Sequence, residues 1–309
     1  MKLTVDFAFE GFKTIQKAGF NIVAWGGLLG LALLIGLGSF VPLALPAILQ
    51  LSKGGQITDP MAVMGLFSAL ILPYFLLLIV LLVAYSVVAC AVYRVVLGEP
   101  KTSFAYLKLG EQEWRNIGVN FLFALIFMAI YLGVLVAGSL AGGLIAVLLS
   151  LINKDLAPLG VFVGIAVALV AMVWILIRLS LFSVQTYADK KLNLFGSWKL
   201  TKGHVWTLLG GYIITWIVAM VVESIGMLVI WLIVGAMALT NLHGLEALGN
   251  TTTPDIGRIL TTVAPMVIVY LLLSCLVIFP MMVSIMYSAS AAAYRTLAGT
   301  GTTQVENVF

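Results

Sequence analysis

A single long apolar run of the chain is enough to indicate its fold class. Residues 61–95 read MAVMGLFSALILPYFLLLIVLLVAYSVVACAVYRV and contain one charged residue, Arg94. About 20 apolar residues in a helix are enough to cross the hydrocarbon core of a bilayer. The run lacks the strict alternation of apolar and polar residues that a transmembrane β-strand shows. It therefore predicts a membrane-spanning helix.

Five further runs of comparable length flank this one, and the composition of the whole chain agrees with them. Of the 309 residues, 62% are hydrophobic and 9% are charged, whereas an average soluble domain is about 45–50% apolar and about 25% charged. This balance excludes a soluble enzyme, a nucleic-acid-binding domain and a disordered chain. We predict one all-α polytopic membrane domain over residues 1–309, with spans at Phe20–Pro46, Met61–Val95, Ile117–Leu151, Leu159–Tyr187, Val205–Leu239 and Leu260–Tyr294.

The distribution of cations predicts the orientation of these spans. If the N-terminus is cytoplasmic, all Lys and Arg residues except Lys53, Lys154 and Arg258 lie on the cytoplasmic side or just inside it. Cytoplasmic loops of membrane proteins carry such an excess of positive charge. We therefore expect both termini in the cytoplasm and a basic inner face that attracts anionic lipid headgroups. The candidate headgroup contacts are Lys13, Lys17, Arg94, Lys190, Lys191, Lys199, Lys202 and Arg295.

A short segment rich in aromatic and charged residues precedes each pair of spans, at residues 7–13, 104–115 and 194–199. This pattern predicts three helical hairpins, each entered from the cytoplasm through a short interfacial helix, with possible internal repeats at residues 1–97, 98–190 and 191–309. The alternative is that the segments reflect only the aromatic and basic residues common at any inner membrane boundary.

The first of these segments has an amphipathic pattern. At 100° per residue, one arc of the helical wheel is apolar and the other is polar. We expect the helix to lie in the headgroup region with its charged arc toward the cytoplasm. The apolar arc holds Val5, Ala8, Phe9, Phe12 and Ile15, and the polar arc holds Asp6, Glu10, Lys13, Thr14 and Lys17.

Two ionisable residues within the spans, Arg178 and Glu223, are candidate functional residues, because an intramembrane charge is costly. Arg178 lies roughly 13 Å along the helix from Tyr187, so its side chain could extend to the headgroups instead of serving a site. Glu223 lies near the middle of the fifth span or beyond it. It is a proton-coupled site, a hydrogen-bonded partner inside the bundle, or a polar contact near the outer surface.

Small residues in several spans predict close contacts between helices. Gly26 and Gly30, Gly138 and Gly142, and Gly160 and Gly164 each lie four residues apart and form small faces. Such faces let two backbones approach within one chain or between two copies. Packing within the chain is the expected use.

Nothing in the sequence predicts catalysis or a bound cofactor. The histidines, His204 and His243, fall on opposite sides of the membrane in this topology, and Cys90 and Cys275 lie inside apolar runs as packing residues. Zinc-protease, dithiol, nucleophile-elbow and phosphate-loop motifs are absent from the sequence. We expect a protein that is not an enzyme and that has no metal or cofactor.

The stretch from Phe195 to His204, FGSWKLTKGH, resembles the segment before the fifth helix in bacterial proteins related to the membrane domain of glycerophosphoryl diester phosphodiesterases. Residues 292–297, AAYRTL, are also similar to that group, which includes six-helix proteins of unknown function. The resemblance implies a multi-pass protein of the bacterial inner membrane. It implies no phosphodiesterase activity, because the catalytic domain of the full-length enzymes is a separate soluble barrel.

Two functional hypotheses follow from these observations. The first is a non-catalytic accessory or organising subunit that contacts lipids, a larger membrane complex or a second copy of itself, and that binds no nucleic acid. The alternative is a transporter of a small solute or lipid, with Glu223 and the proline-kinked helices forming its path. A transporter requires Glu223 to face a wet internal cavity, whereas an accessory subunit does not.

Overall fold

The computed structural model describes residues 3–52, 60–244 and 256–299, together with the side chains of most of them. Lys53, which we expect on the outer side, lies outside the described residues, as does the side chain of Arg258. In the described part of the chain the structure is helical, without a β-strand. The α-helices, in chain order, are α1 (Glu10–Ala18), α2 (Asn21–Ser52), α3 (Pro60–Leu97), α4 (Glu111–Ile152), α5 (Ala157–Leu179), α6 (Phe182–Asp189), α7 (Gly196–Leu200), α8 (Val205–Thr240), α9 (Ile256–Leu273) and α10 (Phe279–Leu297).

Six of the helical segments are long and apolar enough to cross a membrane, which confirms the predicted number of spans. They run over Asn21–Leu45, Ser68–Leu97, Phe104–Ile152, Lys154–Asp189, Val205–Thr240 and Thr261–Leu297. Three of them are not continuous α-helices. The third begins with the 3₁₀ turn Phe104–Tyr106 and continues as α4 only from Glu111. The fourth breaks between α5 and α6, and a π-helical turn at Ser274–Ile278 joins α9 to α10. The arrangement as three hairpins, and the orientation, stay predictions.

The described residues form two compact units, each assembled from distant parts of the chain. The first unit contains residues 3–8, 109–213 and 289–299. The second contains residues 9–52, 60–108, 214–244 and 256–288. Helices α8 and α10 therefore each contribute to both units, with the division falling inside them.

Helices α4 and α5 of the first unit pack through glycines, which confirms the predicted close contact. A Cβ atom built on Gly164 would lie 2.5 Å from the carbonyl oxygen of Gly138 and 2.6 Å from the Cα of Gly142. Gly160 meets the backbone of Ala146 in the same way. Since a real Cβ does not approach backbone atoms so closely, these positions need glycine. The two small faces are used against each other inside the chain.

In the second unit, buried side chains fix the segment that precedes α4. Residues Phe104–Tyr106 form a 3₁₀ turn in which Ala105 and Tyr106 have positive φ angles of 51° and 59°. The indole nitrogen of the buried Trp25 donates to the carbonyl of Ala105 at 2.7 Å, and Arg94 Nη1 donates to the carbonyl of Tyr106 at 2.7 Å. These bonds hold a backbone conformation that non-glycine residues rarely adopt.

The N-terminal helix α1 differs from the prediction in which face meets the protein. Residues Val5–Phe9 form a 3₁₀ helix ahead of α1. Of the predicted apolar arc, Phe9 and Phe12 are 47% and 42% exposed, whereas Ala8 is fully buried. On the other arc, Glu10 and Thr14 are buried, although we expected both to face the cytoplasm. The hydroxyl of Ser288 on α10 donates to that of Thr14 at 2.9 Å. The wheel separates polar from apolar residues but does not show which polar residues pack on another helix.

Candidate functional site

The break between α5 and α6 places polar backbone groups inside a predicted span, and helix α7 provides partners for them. The Ser197 hydroxyl donates to the carbonyl oxygen of Arg178 at 2.9 Å and accepts from the backbone N–H of Leu181 at 3.1 Å. The hydroxyl of Thr201 lies 3.2 Å from the same Arg178 carbonyl. Unpaired backbone groups are costly in a membrane, so these contacts allow the helix to end there.

The side chain of Arg178 is held inside the protein at this break. The residue is 8% exposed and lies in the last turn of α5, where the helix dipole favours a positive charge. Its guanidinium carbon lies 4.7 Å from the ring centre of Trp198 and 5.6 Å from that of Trp174. The two indole rings meet edge to face, with centres 5.1 Å apart. The guanidinium group is therefore enclosed by cation–π contacts with α5 and α7 side chains.

The guanidinium group of Arg178 is incompletely satisfied. Its Nη1 donates to the hydroxyl of Thr201 at 3.4 Å, a long hydrogen bond. Its Nε is buried and has no hydrogen-bond acceptor among the residues that the structure describes. Within that part of the chain, Arg178 also forms no ion pair with a carboxylate. A buried cation normally has such a partner. The sequence also allowed a side chain that extends to the lipid headgroups. In the structure the Arg178 side chain is instead enclosed by the protein.

An apolar groove of about 960 Å³ begins beside this cluster, and we call it the Trp174 groove. Helix α5 forms one wall, and the start of α8 with the turn before it forms the other. Gly203 in that turn has a φ of 84°, a conformation that favours glycine, and it leaves this part of the wall without a side chain. The lining residues are Ala166, Val167, Leu169, Val170, Ala171, Val173, Trp174, Ile177, Gly203, Val205, Trp206 and Leu209.

Helix α6, on the other side of the break, is joined to its neighbours by polar and aromatic contacts. The Ser183 hydroxyl donates to Asn116 Oδ1 on α4 at 2.9 Å. The Tyr294 hydroxyl donates to Asp189 Oδ1 at 2.9 Å. The ring of Phe182 stacks on Phe123 with centres 4.3 Å apart. These contacts fix α6, so that the break is a packed feature of the first unit.

Glu223, the other predicted intramembrane residue, lies on α8 and is partly exposed. In the described part of the chain it has no hydrogen bond or ion pair. It lines neither the Trp174 groove nor a second groove of about 350 Å³ between α4 and α5. Glu223 belongs to the second unit, whereas Arg178 and the side chains around it belong to the first.

The predicted headgroup contacts fall into three groups. Arg295 is partly exposed. Arg94 is buried, since it donates to the Tyr106 carbonyl and lies 3.9 Å from a carboxylate oxygen of Glu99, so this side chain serves the fold rather than a surface. The exposed members are Lys13, Lys17, Lys190, Lys191, Lys199 and Lys202.

The described residues contain no group of three or more His, Cys, Asp or Glu side chains that could hold a metal ion. Cys90 is buried and Cys275 is half-buried, both as free thiols. No family model, no curated protein and no solved structure matches the chain. The relation to the phosphodiesterase membrane domain therefore stays a prediction.

Sequence analysis identified Arg178 but not the side chains that surround it. Trp174 and Arg178 are four residues apart and therefore share a helix face, as do Ser197 and Thr201 on the segment before α8. The two spacings are visible in the sequence. Nothing in the sequence indicates that the two faces meet, because they belong to segments separated by α6.

Proposed function

We propose that the chain is a non-catalytic multi-pass protein of a bacterial inner membrane, with both termini cytoplasmic, that acts as an accessory or organising subunit. It contacts anionic lipids on the cytoplasmic face, and it joins a larger membrane complex or a second copy of itself. The distribution of Lys and Arg supports the orientation. The resemblance around Phe195–His204 supports the bacterial inner membrane.

The observation that carries this proposal is the pairing of exposed aromatic side chains with exposed lysines on the segments before the spans. On the first segment, Phe9 and Phe12 are exposed beside the exposed Lys13. On the third, Phe195 is exposed near the exposed Lys199. Phenylalanine is typical of the apolar face that an interfacial helix buries at the membrane surface, and lysines near that surface are attracted to anionic lipid.

A second observation supports a role that depends on contacts with other molecules. In the span that includes α4, only 6% of the most apolar 18-residue window is buried within the chain. In the span formed by α8, the corresponding value is 11%. Such surfaces are covered in the membrane by lipid or by another protein. The transporter alternative stays a prediction that rests on the sequence.

The test is to extract the full chain in a mild detergent, purify it, and identify the bound lipids and proteins by mass spectrometry. We expect a stoichiometric protein partner, anionic lipids enriched over their share of the membrane, or both. Replacing Lys13, Lys17, Lys199 and Lys202 with Gln should remove the lipid enrichment. A purified chain that carries the average lipid mixture and no partner contradicts the proposal.

A further inference from the structure

The cluster around Arg178 and the Trp174 groove share one side chain, that of Trp174. We propose that the two together bind a single anionic phospholipid, with the headgroup phosphate at Arg178 and one acyl chain along the groove. This inference rests on the proposed function, because it assigns a specific site to a protein that contacts lipids.

The chemistry of the Arg178 side chain favours a phosphate. A guanidinium group presents several N–H donors in a fixed plane that matches the oxygens of a phosphate or carboxylate. In Arg178 the buried Nε has no acceptor among the described residues, and no carboxylate neutralises the charge. The contacts with Trp174 and Trp198 restrict the orientation of the plane before a ligand arrives. The site therefore has a positioned cation that lacks its anion.

The Trp174 groove has the lining and the length for a lipid chain. Its residues are apolar apart from the indole nitrogens and the backbone. Along α5 it extends from Ala166 to Ile177, which is about 16 Å at about 1.5 Å per residue. The hydrocarbon core of a bilayer is about 30 Å thick, so one leaflet is about 15 Å deep. The groove is thus about as long as one leaflet is deep, and its wall on α5 ends one residue before Arg178.

Two exposed lysines on the segment that carries Trp198 favour a ligand of net negative charge. Lys199 on α7 and Lys202 in the turn that follows are exposed, on the same short segment that carries Trp198 and Thr201. A zwitterionic lipid offers the phosphate but also a cationic amine, which these lysines repel. A phospholipid without that amine, such as phosphatidylglycerol, suits both Arg178 and these lysines.

The experiment is native mass spectrometry of the full chain in detergent, titrated with dioleoylphosphatidylglycerol. We expect one lipid that is retained at collision energies that remove the others. Dioleoylglycerol has the same acyl chains but no phosphate and should not be retained. Inorganic phosphate lacks the acyl chain and should neither be retained nor displace the lipid.

Two variants and a control test the residues. Arg178→Gln should weaken retention at least tenfold, and the matched control Lys154→Gln, which removes an exposed cation between α4 and α5, should leave it unchanged. Val170→Trp fills the groove from an exposed position and leaves Arg178 in place. It should also weaken retention, which keeps the inference testable if Arg178→Gln fails to fold.

Four results would overturn the inference: retention of the lipid by both variants as in the unchanged protein, equal retention of dioleoylglycerol, displacement of the lipid by inorganic phosphate, or a dimer that Val170→Trp disrupts. The last result would mean that a second copy covers the groove. If one of these four results is found but anionic lipids are still enriched in the purified protein, the site at Arg178 is wrong and the proposed function is retained. If the unchanged protein shows no enrichment, the proposed function itself fails.

Discussion

The glycine contact between α4 and α5 gives a prediction whose magnitude follows from the structure. Gly164→Ala places a Cβ 2.5 Å from the Gly138 carbonyl oxygen and 2.6 Å from the Gly142 Cα, both of them backbone atoms that cannot move aside alone. Gly143→Ala, on α4 next to Gly142, meets nothing within 4 Å. Both substitutions gain about 0.5–1 kcal/mol of helix propensity, so this gain cancels in the comparison.

The difference between the two variants therefore measures the packing at position 164. Overpacking of a well-packed contact costs about 1–3 kcal/mol. In a membrane, helices associate through van der Waals packing, because the surrounding lipid is as apolar as the helix surface and the hydrophobic effect does not favour the contact. The stability lost in Gly164→Ala is therefore the stability that this packing provides. We expect Gly164→Ala to lower the free energy of unfolding by about 1–3 kcal/mol relative to Gly143→Ala.

The assay is reversible unfolding of the purified full chain in mixed micelles with a rising fraction of sodium dodecyl sulfate, followed by circular dichroism. Gly133→Ala serves as a second control, since a Cβ there also meets nothing within 4 Å. If all three variants unfold at the same detergent fraction, helices α4 and α5 are not in close contact in the membrane, and the argument from the glycines is wrong.

Three further predictions concern the N-terminal helix, Glu223 and the topology. The double variant Phe9→Asp, Phe12→Asp should lose about 1.5–3 kcal/mol of the free energy of membrane contact, because about half of each ring is exposed. Protease should then cleave within residues 3–18 while the spans stay folded, and rapid degradation of the whole chain would contradict this. Glu223→Gln should leave expression and unfolding unchanged, because among the described residues the carboxyl group has no hydrogen-bond or ion-pair partner that the amide would lose. Loss of proton-linked solute uptake would instead favour the transporter. Single cysteines at the positions of Lys53, Lys154 and Arg258, introduced in a chain without Cys90 and Cys275, should be labelled by an impermeant thiol reagent applied from outside the inner membrane. Strong labelling of a cysteine at the position of Lys108 or Lys199 would reject the predicted orientation.

The spans could be predicted because the membrane itself sets their length and composition. A helix that crosses hydrocarbon must be apolar for about 20 residues, whatever it packs against. The fifth predicted span, Val205–Leu239, ends one residue before the observed helix Val205–Thr240. The glycine faces of α4 and α5 could also be predicted, because close approach of two backbones requires small residues wherever it occurs.

The break within the fourth span could not be predicted in this way. Residues 179–182 read LSLF, which contains neither proline nor glycine and continues an apolar run. The helix ends there because Ser197 and Thr201 offer the backbone other hydrogen bonds, and both come from a later segment. For the same reason, counting charges could not show that Arg94 is buried. A charge count gives the side of the membrane, whereas burial depends on tertiary contacts.

The position of Arg178 makes the break more than a packing detail. A leucine at this position would continue the apolar sequence of α5 without desolvating a cation, and desolvation of a buried ion costs several kcal/mol. The cation–π contacts with Trp174 and Trp198 stabilise the buried guanidinium group by about 0.5–2 kcal/mol each, and the single long hydrogen bond to Thr201 adds little. Within the described residues nothing supplies the opposite charge. A phosphate at this position removes the deficit, and the groove beside Trp174 brings a phosphate to it on the end of an acyl chain.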